Sequence, residues 1–435
     1  MTVAGPSPDV RLSRRVVAGY SLGSLVTGPF GTVPGLLLLP YLTDTLGVAA
    51  GVAGLLVLLP KAWDVLVNPV AGRISDRSGD RRGFLLGAGL ALGVLFAAIF
   101  AGPFGTGAAA GGYVAVAFLA AATAFAFFQV PYVAMPAELT TGRAERTRLM
   151  TWRVAVLALA ILVSGALAPL VVDLGGGGLT GHRWSGAFVG SLIVVGTLGA
   201  FFGTRTAESR TAADQEPSLR AQLRIAAANA SFRNLLLCYI VQAAGIATML
   251  AGVQYFAEHV IGQDSGATFL FAAFVGPALL VMPLWSRVGA RHGKLRGLVA
   301  ASLLFAAGAL ALLASPGLPA VAIYLIVALI GCGYAGQQVF ALAMLPDLIE
   351  RDTVRTGRRQ AGVFTGLFTA GETLGLALGP GVYALVLQLF GYVSSSTGEA
   401  AAQDSTARLG VLLGFTVVPA LLVGAAVTLL RRYQD

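Results

Sequence analysis

Residues Asn68 to Gly83 read NPVAGRISDRSGDRRG, and residues Met282 to Gly297 read MPLWSRVGARHGKLRG. The two stretches lie 214 positions apart and are identical at six positions. The identical pairs are Pro69/Pro283, Arg73/Arg287, Arg77/Arg291, Gly79/Gly293, Arg82/Arg296 and Gly83/Gly297. Each copy follows one apolar run and precedes another, so each is a basic turn between two hydrophobic segments.

A second motif repeats at almost the same separation. QVPYVAMPAEL begins at Gln129, and QVFALAMLPDL begins at Gln338, 209 positions later. Two independent matches at nearly equal separations indicate that the second half of the chain repeats the first. A parallel repeat of this kind is expected for two helical bundles that face each other across a central cavity.

The composition indicates what lies between these turns. The chain has 435 residues, of which 56% are hydrophobic and 11% charged, and its mean hydropathy is +0.80. Since a soluble domain has about 25% charged residues, the composition excludes soluble, disordered, fibrous and disulfide-rich classes. A membrane-spanning helix needs about 20 apolar residues. Twelve such runs can be placed, at 16–43, 48–72, 84–103, 112–137, 148–172, 184–203, 232–258, 266–286, 297–315, 319–345, 362–389 and 409–430.

The basic residues mark one side of the membrane. All but four of the 29 Lys and Arg residues fall in alternate loops, on the side that holds both termini. Arg183 and Arg408 lie on the other side, and Lys61 and Arg153 lie within spans. The positive-inside rule therefore predicts cytoplasmic termini in a multi-pass protein of the cell membrane. Topology explains the net charge of +9, so no nucleic-acid partner is expected.

One polar stretch divides the chain between the sixth and seventh runs. It contains TAESRTAADQEPS, which begins at Thr206. We therefore predict an all-α polytopic membrane protein with a six-helix bundle over 1–203, a cytoplasmic linker over 204–231 and a second six-helix bundle over 232–435.

Span two carries the most informative polar residues. An ionisable side chain at the bilayer centre costs at least about 2.5–3.5 kcal/mol, so it is a functional candidate. Lys61, Asp64 and Asn68 share one helix face, because residues three or four apart are neighbours on a helix. Asp64 and the Asn68 amide oxygen could supply part of the oxygen shell of a cation, or Asp64 could carry a proton. The alternative is that Lys61 and Asp64 merely neutralise each other inside the bundle.

Further polar groups are predicted to line the cavity. Glu372 and Thr373 lie near the middle of span eleven, and Glu372 either contacts the solute, carries a proton or pairs with Arg153 in span five. Other hydrogen-bonding groups at membrane depth are Gln129, Tyr334, Gln337 and Gln338. The glutamines could equally hold neighbouring helices together.

Several strings resemble those of one transporter family. GRISDRSGDRRG resembles the loop between spans two and three of the major facilitator superfamily, with one residue inserted. KAWDVLVNP, VPYVAMPAELTTGRAERTRLMTWR and PDLIERDTVRTGRRQAG together resemble the glycoside–pentoside–hexuronide:cation symporter family, from YLTDTLG at Tyr41 to GYV at Gly391. The resemblance implies the major facilitator fold, with twelve transmembrane helices in two pseudo-symmetric six-helix bundles.

The resemblance also assigns residues to the coupling ion. Sodium-coupled members carry two acids in span two, four apart, and often a third in span four. Asp64 matches the first, whereas Asn68 and Gln129 stand at the other two positions. Both H⁺ and Na⁺ are therefore open as coupling ions, and the metal would be bound by Asp64 and Asn68 only if the ion is Na⁺.

The solute-binding positions depart from the family pattern. Sugar-binding members use a Lys-Asp pair in span one, but Thr27 and Gly28 stand there in this chain. The span-eleven lysine of the family falls at or beside Thr373, and only the span-five arginine is kept, as Arg153. An α-galactoside is thus a doubtful solute, and the solute class stays open.

Charged residues at the cytoplasmic ends of the spans predict a gate. Asp76 can pair with nearby arginines or with a facing helix N-terminus, and such pairs could hold one state of a moving bundle. The predicted gate residues are Asp76, Arg77, Arg358 and Arg359.

The leading functional hypothesis is a secondary active symporter that moves a small polar solute, such as a sugar or glycoside, with H⁺ or Na⁺. The alternative is an exporter or flippase of amphipathic or drug-like solutes. An enzyme is not expected, because His182, His259 and His292 all lie in loops or at span ends. The expected partners are the solute and the lipid bilayer; no cofactor is expected, and such a chain can work as a monomer.

Overall fold

The computed structural model describes residues 12–78, 81–140, 143–205, 229–263, 266–356, 361–395 and 401–430. This part of the chain is helical and contains no strand. Its long helices are α1 (Arg14–Thr45), α2 (Ala50–Ser78), α3 (Arg81–Ile99), α4 (Ala108–Leu139), α5 (Arg143–Leu174), α6 (Gly178–Thr204), α7 (Ala230–Ile261), α8 (Gly266–His292), α9 (Lys294–Gly317), α10 (Ala320–Thr356), α11 (Ala361–Leu389) and α12 (Ser405–Leu429).

Each predicted apolar run corresponds to one of these helices. Eleven of the helices in the described part are long and apolar enough to cross a membrane. The remaining one, α2, has a shorter apolar stretch at Ala50–Pro60 and continues as a single helix to Ser78. The prediction of a polytopic all-α membrane protein with twelve spans is therefore confirmed.

The helices pack as two bundles with the same internal pattern. In the first bundle α1 packs on α5 and α6, α2 on α4, and α3 on α4 and α6. In the second bundle α7 packs on α11 and α12, α8 on α10, and α9 on α10 and α12. Adding six to each helix number converts one set of pairs into the other, so the repeat in the sequence is a repeat in the fold.

The basic motif forms a very tight turn in its second copy. Helix α8 ends at His292 and α9 begins at Lys294, which leaves Gly293 alone between them. Gly293 has φ +87°, a conformation that side chains other than hydrogen disfavour. Lys294 then pairs with Asp347 of α10 at 2.5 Å, so the two repeated motifs of this half meet in space.

Helix α1 breaks at Gly23, between Leu22 and Ser24. The ring of Tyr132 lies where a side chain at Gly23 would stand. Only glycine allows the close approach of α4 at this point, whereas Pro29 and Pro34 lie inside an unbroken helical segment.

The two bundles close together at one end of the molecule. We call the end with the α8–α9 turn and the start of α1 the basic end, and the opposite one the distal end. At the distal end α2 packs on α11, α5 on α8 and α1 on α7. Gly54 is so close to Ala384 that an added Cβ would lie 2.5 Å from the alanine methyl group. Five hydrogen bonds between described residues join the two bundles at the distal end.

Candidate functional site

The predicted coupling residues of α2 lie on its packed face, near the middle of the helix. Trp63 donates its indole N–H to the Thr123 hydroxyl of α4 at 3.0 Å, which fixes this turn of α2 against α4. The Asp64 side chain is buried, with 6% exposed. One turn further on, Oδ1 of Asn68 is buried and has no hydrogen-bond partner.

Gln129 lies at the depth of Asn68 on the neighbouring helix. Val67 and Ala71 of α2 pack against Ala126 and Val130 of α4, and these contacts bracket both polar residues. The structure thus brings Asn68 and Gln129 to nearly one level of the first bundle, with Asp64 about one helical turn away along α2. It forms no hydrogen bond between the two amides.

Arg153 is held by an aromatic side chain. Its guanidinium carbon lies 5.1 Å from the centre of the Tyr132 ring, a cation–π contact of about 0.5–2 kcal/mol depending on solvation. Tyr132 in turn stacks on Tyr20 at 4.7 Å and donates to the Tyr20 carbonyl at 2.8 Å. The Nε atom of Arg153 is buried without a partner, so the guanidinium retains capacity to bind another group.

The second bundle contributes a connected polar network. The Tyr239 hydroxyl donates to Oε1 of Gln338 at 2.7 Å, and Nε2 of Gln338 donates to the Tyr334 hydroxyl at 3.0 Å. The same Nε2 lies 3.5 Å from Oε1 of Glu372. Three helices, α7, α10 and α11, therefore meet through one glutamine.

This network surrounds a small polar cavity of about 40 Å³, which has room for a few water molecules. Its polar lining consists of Tyr239, Gln242, Tyr334, Gln337, Gln338 and Glu372. Both polar side-chain atoms of Gln337 are buried without a partner, and so is Oε1 of Gln242. Buried amides normally find partners, so these groups fit a site that binds a polar molecule.

Two of the lining residues, Tyr239 and Gln242, were not singled out from the sequence. They lie three positions apart in α7, within the apolar stretch LLLCYIVQAAG. Polar residues at that spacing share one helix face, so the sequence itself contains the pattern that identifies them as a pair. Gln242 also donates to the Ser302 hydroxyl at 2.8 Å, which ties α7 to α9.

Glu372 does not pair with Arg153. The ion pairs between described side chains do not include one between them, and the carboxylate lies beside Gln338 instead. Thr373 donates to the Thr369 carbonyl of its own helix at 3.1 Å.

The helix register places Glu372 at the depth of Asp64. Gly51 lies level with Gln388, and Gly54 lies level with Ala384, in antiparallel helices. Continuing that register along α2 and α11 by three turns brings Glu372 level with the turn between Asp64 and Asn68. Asp64 and Glu372 therefore lie at about the same depth in their two bundles.

The side chains of the predicted gate lie outside the described part of the structure. Arg358 and Arg359 lie outside the described residues, as do the side chains of Lys61, Asp76 and Arg77. The ion pairs described at the basic end join residues of the same bundle; they are Glu145–Arg148, Asp347–Lys294 and Asp352–Arg355.

The sequence of this chain is matched by the model of a known family. The family model described as MFS/sugar transport protein matches residues 19–434 of this chain. The chain belongs to this family. Its resemblance to the major facilitator superfamily and to glycoside symporters is thereby confirmed, and the chain is a membrane transporter.

Curated relatives match this chain over nearly its whole length. The glucuronide carrier protein homolog of Escherichia coli is 26% identical and aligns with 94% of this chain and 90% of its own. The inner membrane symporter YicJ of E. coli is 22% identical, covering 98% and 92%. The isoprimeverose transporter of Lactiplantibacillus pentosus is 23% identical, covering 95% and 87%.

Solved structures support the fold assignment. The crystal structure of a D-xylose-proton symporter superposes with a TM-score of 0.70 over 97% of this chain and 98% of the other, at 12% sequence identity. At that identity the likeness establishes the fold, which is the major facilitator fold of two six-helix bundles.

Proposed function

We propose that this protein is a symporter of the cell membrane that carries a sugar or glycoside by alternating access, driven by H⁺ or Na⁺. The family is one of sugar transporters, and its curated relatives include named carriers of a glucuronide and of isoprimeverose. The second bundle offers the solute neutral hydrogen-bonding groups and one carboxylate, a chemistry that suits hydroxyl groups.

The single observation that carries the proposal is the unpartnered Gln337 amide, 1% exposed, in the cavity of the second bundle. An unsatisfied buried polar group costs about 1–3 kcal/mol. A bound hydroxyl can donate to Oε1 and accept from Nε2, which removes that cost. The cavity as it stands is too small for a sugar, so the site binds the solute together with the space between the bundles.

The coupling ion binds at Asp64 in this proposal. Asp64 is buried at mid-depth, and the Asn68 amide oxygen is available one turn away. A carboxylate there can bind a proton, and together with amide oxygens it can coordinate Na⁺. The first bundle therefore binds the ion, and the second contributes polar contacts to the solute.

The positive-inside rule puts the basic end in the cytoplasm. Because the bundles are closed at the distal end, we interpret this structure as an inward-facing state of the transport cycle. The exporter alternative has less support, because the relatives carry the names of symporters and sugar carriers.

The solute class is tested by thermal stabilisation of the purified protein with a panel of monosaccharides, disaccharides, glycosides, glucuronides, lysolipids and cationic dyes. We expect a rise in melting temperature with sugars or glycosides, and uptake of those hits into proteoliposomes. Stabilisation by lysolipids or dyes alone would favour the exporter.

The ion is identified by repeating the melting measurement in NaCl and KCl at equal ionic strength. A rise specific to NaCl, abolished in Asp64→Asn, identifies Na⁺. Uptake driven by an inward pH gradient without Na⁺ identifies H⁺.

A further inference from the structure

Helices α1 and α7 end in the same way at the distal end. Each finishes in a π-helical turn, Tyr41–Thr45 in α1 and Ala257–Ile261 in α7. A glycine with positive φ follows each turn, at +68° for Gly47 and +69° for Gly262. Each turn carries one acid: Asp44 is the fourth residue of the first turn and Glu258 the second residue of the other.

The acids of the two turns have different surroundings. Glu258 is exposed and accepts a hydrogen bond from Nε2 of Gln254 at 2.6 Å. Asp44 is buried, with 7% exposed. Its Oδ1 accepts a hydrogen bond from the Tyr392 hydroxyl at 2.9 Å, and its Oδ2 is buried without a partner.

The bond from Tyr392 to Asp44 joins the two bundles. Tyr392 follows α11 in the second bundle, and its hydroxyl oxygen also lies 3.1 Å from Nε2 of His259. Since the hydroxyl donates to Asp44, it accepts from His259, which is then the Nε2–H tautomer. Burial first, and then the Asp44 carboxyl, raises the pKa of Tyr392 above its ordinary value, so the phenol keeps the proton that it donates.

Other inter-bundle bonds surround this one. The Thr43 hydroxyl lies 2.7 Å from the Tyr255 hydroxyl, and the Ser395 amide donates to the Thr43 carbonyl at 2.9 Å. Asp44 thus sits inside the contact that seals the distal end, where water is excluded.

The charges around Asp44 do not compensate an ionised carboxylate. No Lys or Arg of the described chain forms an ion pair with it. The titratable and charged groups that face this cluster are Tyr41, Asp173, His182, Arg183, Tyr255, Glu258, His259, Tyr383, Tyr392 and Arg408.

We propose that Asp44 is a proton-binding site of the distal gate: it is protonated when the two bundles close over it and ionised when they part. An uncompensated buried carboxylate is very costly, so the closed gate holds the neutral acid. In water an aspartic acid is ionised above about pH 4. Closing the gate therefore takes up one proton from the distal side, and opening releases it there.

The sign of the pH dependence follows from this uptake. Acid favours the closed gate because that state binds the proton, and rising pH favours the open gate. One proton changes the open-to-closed ratio by up to about tenfold per pH unit. Because the proton returns to the side from which it came, this site sets the gate equilibrium separately from coupling at Asp64.

The test uses spin labels on cysteines placed at Phe104 and Val321, which are exposed at the distal ends of the two bundles. The native Cys238 and Cys332 are replaced by alanine. The label-to-label distance is measured from pH 5 to pH 8. We expect the long-distance, open population to grow with pH in the otherwise unchanged protein, and to be small and independent of pH in Asp44→Asn.

Three further variants separate the alternatives. Tyr392→Phe removes the bridge and should enlarge the open population throughout. Glu258→Gln, the matched control on the equivalent turn, should keep the pH dependence. His259→Gln should also keep it. An unchanged pH dependence in Asp44→Asn, its loss only in His259→Gln, or a Tyr392→Phe variant that behaves like the parent would each overturn the proposal.

Discussion

Gln337 and Gln242 show how two similar side chains in one cavity have different roles. The side-chain amide of Gln242 donates a hydrogen bond to the Ser302 hydroxyl, so Gln242 contributes to packing between α7 and α9. Gln337 has no partner for either polar atom. Gln242 therefore contributes to the stability of the protein, whereas Gln337 lowers the stability of the empty protein and is available to bind the solute.

The first prediction concerns Gln337→Met, which keeps the length of the side chain and removes its polar atoms. Losing an unsatisfied buried amide should raise the free energy of unfolding of the empty protein by about 1 kcal/mol. The same change should weaken solute binding by about fivefold, since a hydrogen bond to an uncharged group is worth about 1 kcal/mol. Thermal melting and the KM of uptake measure the two effects.

The matched control is Gln242→Met. It removes an existing bond to Ser302 and should lower the melting temperature instead of raising it. If Gln337→Met left KM unchanged, the second-bundle cavity would not be part of the solute site.

The sequence located most of these residues, but not their partners. Glu372, Tyr334, Gln337 and Gln338 were identified as polar groups in apolar helices, because such residues are costly in a membrane. The contact of Arg153 with Tyr132 could not be derived, since it depends on how α4 and α5 rotate about their axes. A cation in span five is equally compatible with Glu372 until that rotation is known.

At the scale of helices, the seam between α2 and α11 determines whether the distal end can close. Their contact at the distal end requires small residues, because Gly54 lies against Ala384 and Gly51 against Gln388. The contact continues as far as Leu58, which would lie 3.9 Å from a Cβ added at Gly381. From there towards the basic end, α2 continues to Asp64, and Glu372 lies at the corresponding depth of α11. The glycines of α2 thus favour the closed state.

The second prediction is that Gly54→Leu opens the distal end. A leucine cannot fit where an added Cβ already lies 2.5 Å from Ala384, so the bundles must part. Spin labels at Phe104 and Val321 should then report a longer distance than in the parent protein. Gly87→Leu in α3 is the control, because nothing lies within 4 Å of an added Cβ there. A Gly54→Leu distance equal to that of the parent would contradict this account of the seam.

Helix positions were largely predictable from the sequence, whereas their interruptions were not. Long apolar runs bounded by basic turns leave little choice of element, and each run became a helix. The break of α1 at Gly23 depends on Tyr132, which lies more than 100 positions away in the sequence. Local patterns carry no information about such a contact.

At the scale of the whole molecule, the sequence repeat accounts for the two-bundle fold and for the matching turns at both ends of the bundles. A separation of 214 positions relates the two basic turns. The two copies differ at the proposed coupling position: Asp64 lies in α2, whereas its repeat equivalent in α8 is Ala278, a buried residue. A symmetric scaffold therefore holds an asymmetric site.

The third prediction concerns the orientation of the molecule. If the basic end is cytoplasmic, a membrane-impermeant thiol reagent added to intact cells should label Phe104→Cys at the distal end. It should not label Arg205→Cys at the basic end until the cells are lysed, in a background in which Cys238 and Cys332 are alanine. The reverse pattern would show that the distal end faces the cytoplasm.

The central claim is that Asp64 couples an ion gradient to movement of a sugar or glycoside. The most direct measurement is accumulation of a labelled solute, identified by the thermal panel, in proteoliposomes with an imposed inward H⁺ or Na⁺ gradient. The parent protein should concentrate the solute above its outside level only when one of these gradients is present. Asp64→Asn should bring the inside-to-outside ratio to about one while still exchanging solute, because the ion site is lost and the carrier is not. Gradient-driven accumulation by Asp64→Asn equal to that of the parent would contradict the account.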